Sequence, residues 1–184
     1  MKAYKIIGGG DPSKRHDRDF YPTPEEVTRA LMEILNPDKD ITIWEPACGE
    51  GHIVKSLNNM GFNNVIGTDI LTGTDFLTAE LPKSGGVDIS FIITNPPFKL
   101  AEEFIRKCWQ HNIPFALLLK SQFWHAAKRY ELFNECRPSM IYPLTWRPDF
   151  TGQGAALMDC IWCVWLRDDK GYTEYKPLKK GAET

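Results

Sequence analysis

Asn95-Pro96-Pro97-Phe98, directly after the apolar run Phe91-Ile92-Ile93-Thr94, is the most specific chemical signal in the 184-residue sequence. Each proline fixes its own φ and forces the residue before it into an extended shape, so the Asn95 and Pro96 carbonyls project rigidly. Neither proline donates a hydrogen bond, which leaves a cluster of neutral acceptors: the Asn95 side-chain oxygen and a backbone carbonyl. Such a cluster suits the two hydrogens of a planar NH2 group, and Phe98 adds a flat face on which a base can stack. Drawing both hydrogens out of the amine plane localises the nitrogen lone pair toward an electrophilic methyl. No general base is needed before attack, because the proton can leave after the methyl arrives. The plainer reading is a Pro-Pro turn that ends a strand, and the place of this turn in the fold decides between the two.

A second constellation follows the apolar run Ile41 to Trp44. Glu45-Pro46-Ala47-Cys48-Gly49-Glu50-Gly51-His52 is a strand-to-helix loop whose glycines let the backbone approach a ligand closely. Twenty positions after Gly49 stands Asp69. A carboxylate at the end of the second strand can accept both hydroxyls of a ribose, so an adenosine-containing cofactor is expected. The loop is G-x-G without a third glycine, a weak match to the pyrophosphate fingerprint. Glu45 would repel a pyrophosphate but suits a ligand with an ammonium and a sulfonium, as S-adenosylmethionine has.

The elements that must position these loops alternate along the chain. Strands are expected at Ile41 to Trp44, Asn64 to Thr68, Ile89 to Thr94, Phe115 to Leu119, Ser139 to Tyr142 and Met158 to Leu166. Helices are expected after Pro24, with apolar Val27, Ala30, Leu31, Ile34 and Leu35, and at about His52 to Met60, Leu100 to Gln110 and Gln122 to Asn134. Thr23 is expected as the N-cap of the first helix, with Pro24 as its first residue. This alternation predicts an α/β fold, a doubly wound and mostly parallel sheet with helices on both faces. Ligands in such sheets bind outside the carboxyl ends of the strands, where both loops lie. A mobile segment 1–19, a catalytic domain 20–170 and a loose tail 171–184 are expected.

Composition sets outer bounds. Twenty-two Lys plus Arg against 24 Asp plus Glu give a net charge of -2, which argues against a histone-like coat but leaves room for a local basic face. No run approaches the roughly 18 apolar residues of a membrane span, and the first residues lack a signal peptide's apolar stretch, so a cytoplasmic protein without a membrane partner is expected. Five cysteines show no paired framework. Cys160 and Cys163 match C-x-x-C inside an expected strand, where positions three apart face opposite sides and cannot share a metal. His16, His52, His111 and His125 show no ligand spacing, and no metal is expected.

Phe20-Tyr21-Pro22-Thr23-Pro24, the loop Glu45 to Gly51, Thr68-Asp69-Ile70 and Asn95 to Phe98, in that order, resemble the motifs of S-adenosylmethionine-dependent DNA adenine-N6 methyltransferases. The resemblance runs from about Phe20 to Leu166 and is closest to the short forms of phages and mobile elements. It implies a Rossmann-like seven-stranded methyltransferase sheet with the last strand antiparallel. It further implies that Phe20, Tyr21, Pro22 and Thr23 lie against the methionine part of the cofactor. Glu45 and the backbone of Pro46, Ala47, Cys48, Gly49 and Gly51 would hold its amino acid portion. Asp69 would bind the ribose and Ile70 would pack on the adenine, with Asp75 and Phe76 at the adenine amine and ring. Asn95, Pro96, Pro97 and Phe98 would be the catalytic tetrapeptide, Asn95 also touching the cofactor.

The expected partner is nucleic acid, DNA in particular. Members that recognise a fixed site usually carry a target-recognition region, for which little length is left. Two stretches mix cations with aromatic rings and could contact phosphates and bases: Lys120, Trp124, Lys128 and Arg129, then Trp146, Arg147 and Phe150. Their plainer readings are an amphipathic helix with a solvated basic face, and aromatic cover for the core. RNA adenine and a protein glutamine amide remain open as substrates, because the tetrapeptide serves any planar NH2. A protein that binds the cofactor without turnover is a third reading, against which an intact Asn95 argues.

Overall fold

The structure is a computed structural model that describes residues 21–83, 86, 88–154, 158–167 and 170–181. Segment 1–19 and Phe20 lie outside the described residues. Seven strands among the described residues join one sheet: β1 (Ile43–Glu45), β2 (Val65–Gly67), β3 (Phe91–Thr94), β4 (Phe115–Lys120), β5 (Met140–Pro143), β6 (Cys160–Trp165) and β7 (Glu174–Tyr175). Their spatial order is β2-β1-β3-β4-β6-β5-β7. β1 pairs parallel with β2 and β3, β3 pairs parallel with β4, and β6 runs antiparallel between β4 and β5. The chain thus forms the expected mixed sheet, with β6, its last long strand, reversed.

The central strands are apolar at successive positions because helices cover both faces. In β4, Ala116 and Leu118 enter one core while Phe115, Leu117 and Leu119 enter the other. In β6, Cys160, Trp162 and Val164 alternate in the same way with Ile161, Cys163 and Trp165. The first core is closed by α1 (Glu25–Leu35), through Val27, Ala30 and Leu31, and by α2 (His52–Asn59), through Ile53 and Leu57. The second is closed by α3 (Ala101–His111), through Phe104, Ile105 and Cys108, and by α4 (Tyr130–Glu135), through Leu132. Cys160 and Cys163 therefore belong to cores on opposite faces, and burial pushes both thiols up to about 12.

Three local expectations need correction. Pro24, not Thr23, is the cap residue of α1, and no side chain caps that helix. The Thr23 hydroxyl is engaged by Asn95 instead. The expected helix Gln122 to Asn134 is two 3-10 turns, Ser121–His125 and Ala127–Arg129, followed by the six-residue α4. Adjacent Phe123 and Trp124 both pack on the second core, whereas successive positions of an α-helix point about 100° apart. The tail expected to be loose is paired along Glu174–Tyr175, where β7 lies parallel to β5. Leu178 follows, 4% exposed in the first core, its N–H donating to the Pro143 carbonyl at 2.8 Å.

Trp162 fastens α1 to the sheet. It is fully buried, and its indole N–H donates to the Val27 carbonyl at 3.0 Å. Trp162→Ala is expected to cost about 3–5 kcal/mol of stability, read as a lower urea midpoint at unchanged slope.

Candidate active site

In an open α/β sheet the ligand crevice lies beyond the carboxyl ends of the strands where the strand order reverses. Here that point falls between β1 and β3, since the chain passes from β1 out to β2 and returns on the other side of β1. The Glu45 loop leaves β1 and the Asn95 loop leaves β3, so the two motifs follow neighbouring parallel strands at the same end of the sheet, where such a crevice is expected.

The first loop continues the β1–β2 pairing: the Thr68 N–H donates to the Glu45 carbonyl and the Cys48 N–H to the Thr68 carbonyl, both at 2.9 Å. Gly49 (φ 51°) and Gly51 (φ 76°) then take left-handed conformations that L side chains rarely adopt. Two buried carboxylates hold this turn. Asp69, 7% exposed, accepts the Gly49 N–H on one oxygen and the Leu71 N–H on the other, each at 2.8 Å. Glu45, 2% exposed, accepts the Val54 N–H in the first turn of α2 at 3.1 Å. Burial pushes the Glu45 carboxyl up to about 8, against the Val54 hydrogen bond and helped by the Asp69 charge. A cation entering the crevice would relieve this repulsion, and a pyrophosphate would aggravate it.

The second loop is built around the Asn95 amide. Its Nδ2 donates to the Tyr21 carbonyl and to the Thr23 hydroxyl oxygen, both at 3.1 Å. A backbone carbonyl can only accept, so the NH2 must face Tyr21 and the orientation of the amide is fixed by chemistry. Among the described residues no hydrogen bond reaches Asn95 Oδ1. Phe98 opens a 3-10 turn, and its ring centroid lies 5.4 Å from that of Tyr21, tilted by 36°. The Lys120 ammonium, at the end of β4, stands 4.3 Å from the Phe98 centroid, and Tyr21 also meets Phe150 edge-on at 5.8 Å. Tyr21, Thr23, Asn95, Phe98, Lys120 and Phe150 thus form one connected group.

Sequence reasoning missed two of these contacts. The Thr23–Asn95 hydrogen bond spans 72 positions and carries no local pattern. Lys120 carries in sequence only the signal of a phosphate contact, with nothing to point to the Phe98 ring. The surroundings of the other expected residues vary. Ile70 stands 67% exposed beside Asp69. Asp75 is exposed and accepts the Leu77 N–H at 3.0 Å as a turn cap. Phe76 is a ring of the second core, 5.2 Å from Trp44 and 4.8 Å from Phe104. The Trp124 indole N–H meets Cys163 Sγ at 3.3 Å, and Arg129 is ion-paired with Glu102 over the Phe123 ring, so core packing and pairing account for both. Lys128 is exposed, Arg147 pairs with Asp159 at 2.8 Å, and Trp146 packs on the first core, as does Phe150. Among the described residues no cluster of His, Cys, Asp or Glu is placed to hold a metal ion, and no helix is long and apolar enough to cross a membrane.

No protein-family model matches the sequence, and neither does any curated protein. Solved structures do match. A type I restriction-modification methyltransferase subunit from Streptococcus thermophilus aligns over 82% of the chain with a TM-score of 0.62 and 14% identity. A Listeria monocytogenes protein, provisionally described as a class I S-adenosylmethionine-dependent methyltransferase, aligns over 90% of the chain and 68% of its own length, with a TM-score of 0.62 and 15% identity. The 23S rRNA methyltransferase ErmE aligns over 80% of the chain and 70% of its own length, with a TM-score of 0.54 and 14% identity. The chain spans less than half of the Streptococcus subunit, 45% of its length. At these identities the likeness is one of fold, the Rossmann-like sheet of S-adenosylmethionine-dependent methyltransferases.

The Glu45 carboxyl makes stability depend on pH. Held at about 8 against an ordinary 4.5, it binds more protons folded than unfolded between those values, so its contribution falls as pH rises through that window. Glu45→Gln keeps an oxygen for the Val54 N–H and removes the titration. Relative to wild type, the variant is expected to gain on the order of a few kcal/mol between pH 5 and 8.5 by urea denaturation, and parallel pH profiles would contradict the burial account.

Proposed function

We propose that this protein transfers a methyl group from S-adenosylmethionine to the exocyclic N6 amine of adenine in DNA. The observation that carries the reading is the Asn95 amide, whose hydrogens are held by Tyr21 and Thr23 so that its oxygen is turned away from them. An oriented neutral acceptor beside an aromatic ring, at the switch point of this fold, suits a planar aromatic amine.

The cofactor assignment is supported by the chemistry of the first loop. Two buried carboxylates favour a ligand that carries positive charge, and the turn at Gly49 and Gly51 lets backbone N–H groups approach a carboxylate. Glu45 and the backbone from Pro46 to Gly51 would hold the amino acid end, with Tyr21, Pro22 and Thr23 on the methionine side. Asp69 uses each oxygen for one backbone N–H, which leaves lone pairs for the ribose hydroxyls. Exposed Ile70 offers an apolar face to the adenine. When bound, the cofactor supplies an electrophilic methyl group on a sulfonium.

The chain's own residues then position the nucleophile. Asn95 Oδ1 and the Pro96 carbonyl accept the two amine hydrogens and aim the nitrogen lone pair, Pro97 keeps the turn extended, and Phe98 stacks on the base. The displaced proton passes to solvent after transfer. A base stacked on the face of Phe98 that Lys120 covers displaces the ammonium, which then reaches a backbone phosphate. A duplex target has to leave its stack to reach this loop. The restriction-modification subunit among the structural neighbours supports nucleic acid as substrate.

The test is incubation with methyl-labelled S-adenosylmethionine and, separately, duplex DNA, single-stranded DNA, total RNA and protein, followed by identification of the labelled product. N6-methyladenine from DNA is expected, and label confined to RNA or to glutamine overturns the substrate assignment. Asn95→Ala is expected to lower turnover by about 100-fold or more. Thr23→Val, which removes one of the two acceptors on the Asn95 amide, is expected to lower kcat by about 10-fold. Asp69→Ala should weaken cofactor binding by about 10-fold or more, measured by calorimetry.

A further inference from the structure

The loop that follows β5 carries a structural device that neither the cofactor site nor the catalytic tetrapeptide uses. β5 is antiparallel to β6, which is antiparallel to β4, so β5 ends at the same edge of the sheet as β3 and the Asn95 loop. Its stem is braced on two sides. The Thr145 N–H and hydroxyl both donate to the Leu178 carbonyl, at 3.0 and 2.7 Å, and Arg147 pairs with Asp159 at 2.8 Å. Phe150, 5% exposed, anchors the middle of the loop in the first core and against Tyr21, the residue whose carbonyl orients Asn95.

Beyond Phe150 the tip is organised by one carboxylate. Asp149 accepts the Thr151 N–H at 3.0 Å, the Thr151 hydroxyl at 2.8 Å, the Gly152 N–H at 3.1 Å and the Gly154 N–H at 2.6 Å. The Thr151 hydroxyl oxygen accepts the Gln153 N–H at 3.2 Å. Gly152 (φ 66°) and Gly154 (φ 75°) supply the left-handed turns on either side of Gln153. The backbone at Gln153 is therefore fixed from both sides, while residues 151 to 154 are all exposed. Thr151 has its hydroxyl engaged and the two glycines carry no side chain. Among the described residues no hydrogen bond engages the Gln153 side chain, which leaves its donors and acceptors for something outside.

A glutamine amide presents a donor and an acceptor side by side. That fork matches the N7 acceptor and N6 donor of adenine in the major groove, whereas a carboxylate in its place would accept from the N4 amine of cytosine. A backbone already ordered loses little freedom on binding, so the ordering cost of the contact is confined to the Gln153 side chain. We propose that loop 145–154 reads the DNA beside the target base, with the Gln153 side-chain amide recognising an adenine at a fixed offset. The proposal rests on the adenine-in-DNA activity above and adds the residue that selects the site.

The test uses duplex DNA of randomised sequence, S-adenosylmethionine, and the wild type, Gln153→Ala and Gln153→Glu proteins, with methylated contexts read by sequencing and cofactor affinity measured in parallel. Wild type is expected to favour adenine at one offset, on either strand, by about 5- to 100-fold. Gln153→Ala should flatten that position and Gln153→Glu should move it toward cytosine, with cofactor affinity unchanged in both. A wild-type profile without an enriched adenine at any offset, or one that Gln153→Ala leaves intact, overturns the recognition role. Absence of methylated adenine in DNA with wild type overturns the activity itself, a separate result, and the recognition role with it.

Discussion

Two hydrogen bonds from one side-chain amide decide what the centre of this molecule can do. Asn95 gives both amide hydrogens to the segment Tyr21–Thr23, and because the Tyr21 carbonyl has nothing to donate, the Asn95 oxygen must face the other way. The rest of the architecture keeps those partners in register. β3 delivers Asn95 at the crevice, and the double proline stiffens the turn behind it. Tyr21 to Thr23 lead into α1, which the buried Trp162 indole fastens to β6 through the Val27 carbonyl. A perturbation of α1 far from the crevice is therefore felt at the acceptor.

Electrostatics separates the two sides of the crevice. On the β1 side, Glu45 and Asp69 are both nearly buried and serve first as anchors, for the α2 N-terminus and for the glycine turn. Burial, helped by the Asp69 charge, keeps the Glu45 carboxyl reluctant to ionise. On the β3 side the groups are neutral acceptors and aromatic rings, with one ammonium, Lys120, resting over Phe98. The proposed reading sets a cationic ligand on the first side and a neutral planar amine on the second.

Much of the fold was legible because both faces of the sheet are covered, so β3, β4 and β6 read as unbroken apolar runs and α1 to α3 as amphipathic ones. Glu45, Asp69 and the tetrapeptide Asn95 to Phe98 could be singled out from type and spacing. What escaped was long-range or dictated by packing. Thr23 beside Pro24 carries the local signal of a helix cap, but Asn95 takes its hydroxyl. Phe123 and Trp124 both turn to the second core and break the helix that their surroundings suggest. Glu174–Tyr175 is too short and polar to announce a strand, yet β5 offers it an edge. Phe76, expected at the adenine from the resemblance alone, and Arg129, expected at a phosphate from its charge, are held by a core ring cluster and by Glu102.

The most direct measurement is a structure of the protein with S-adenosylhomocysteine and a short adenine-containing DNA. The account predicts the adenine N6 about 2.8–3.1 Å from Asn95 Oδ1, with Asn95 Nδ2 still on Tyr21 and Thr23 and the base stacked on Phe98. An adenine amine bound away from Asn95, or an Asn95 amide turned so that Nδ2 faces the base, would contradict it.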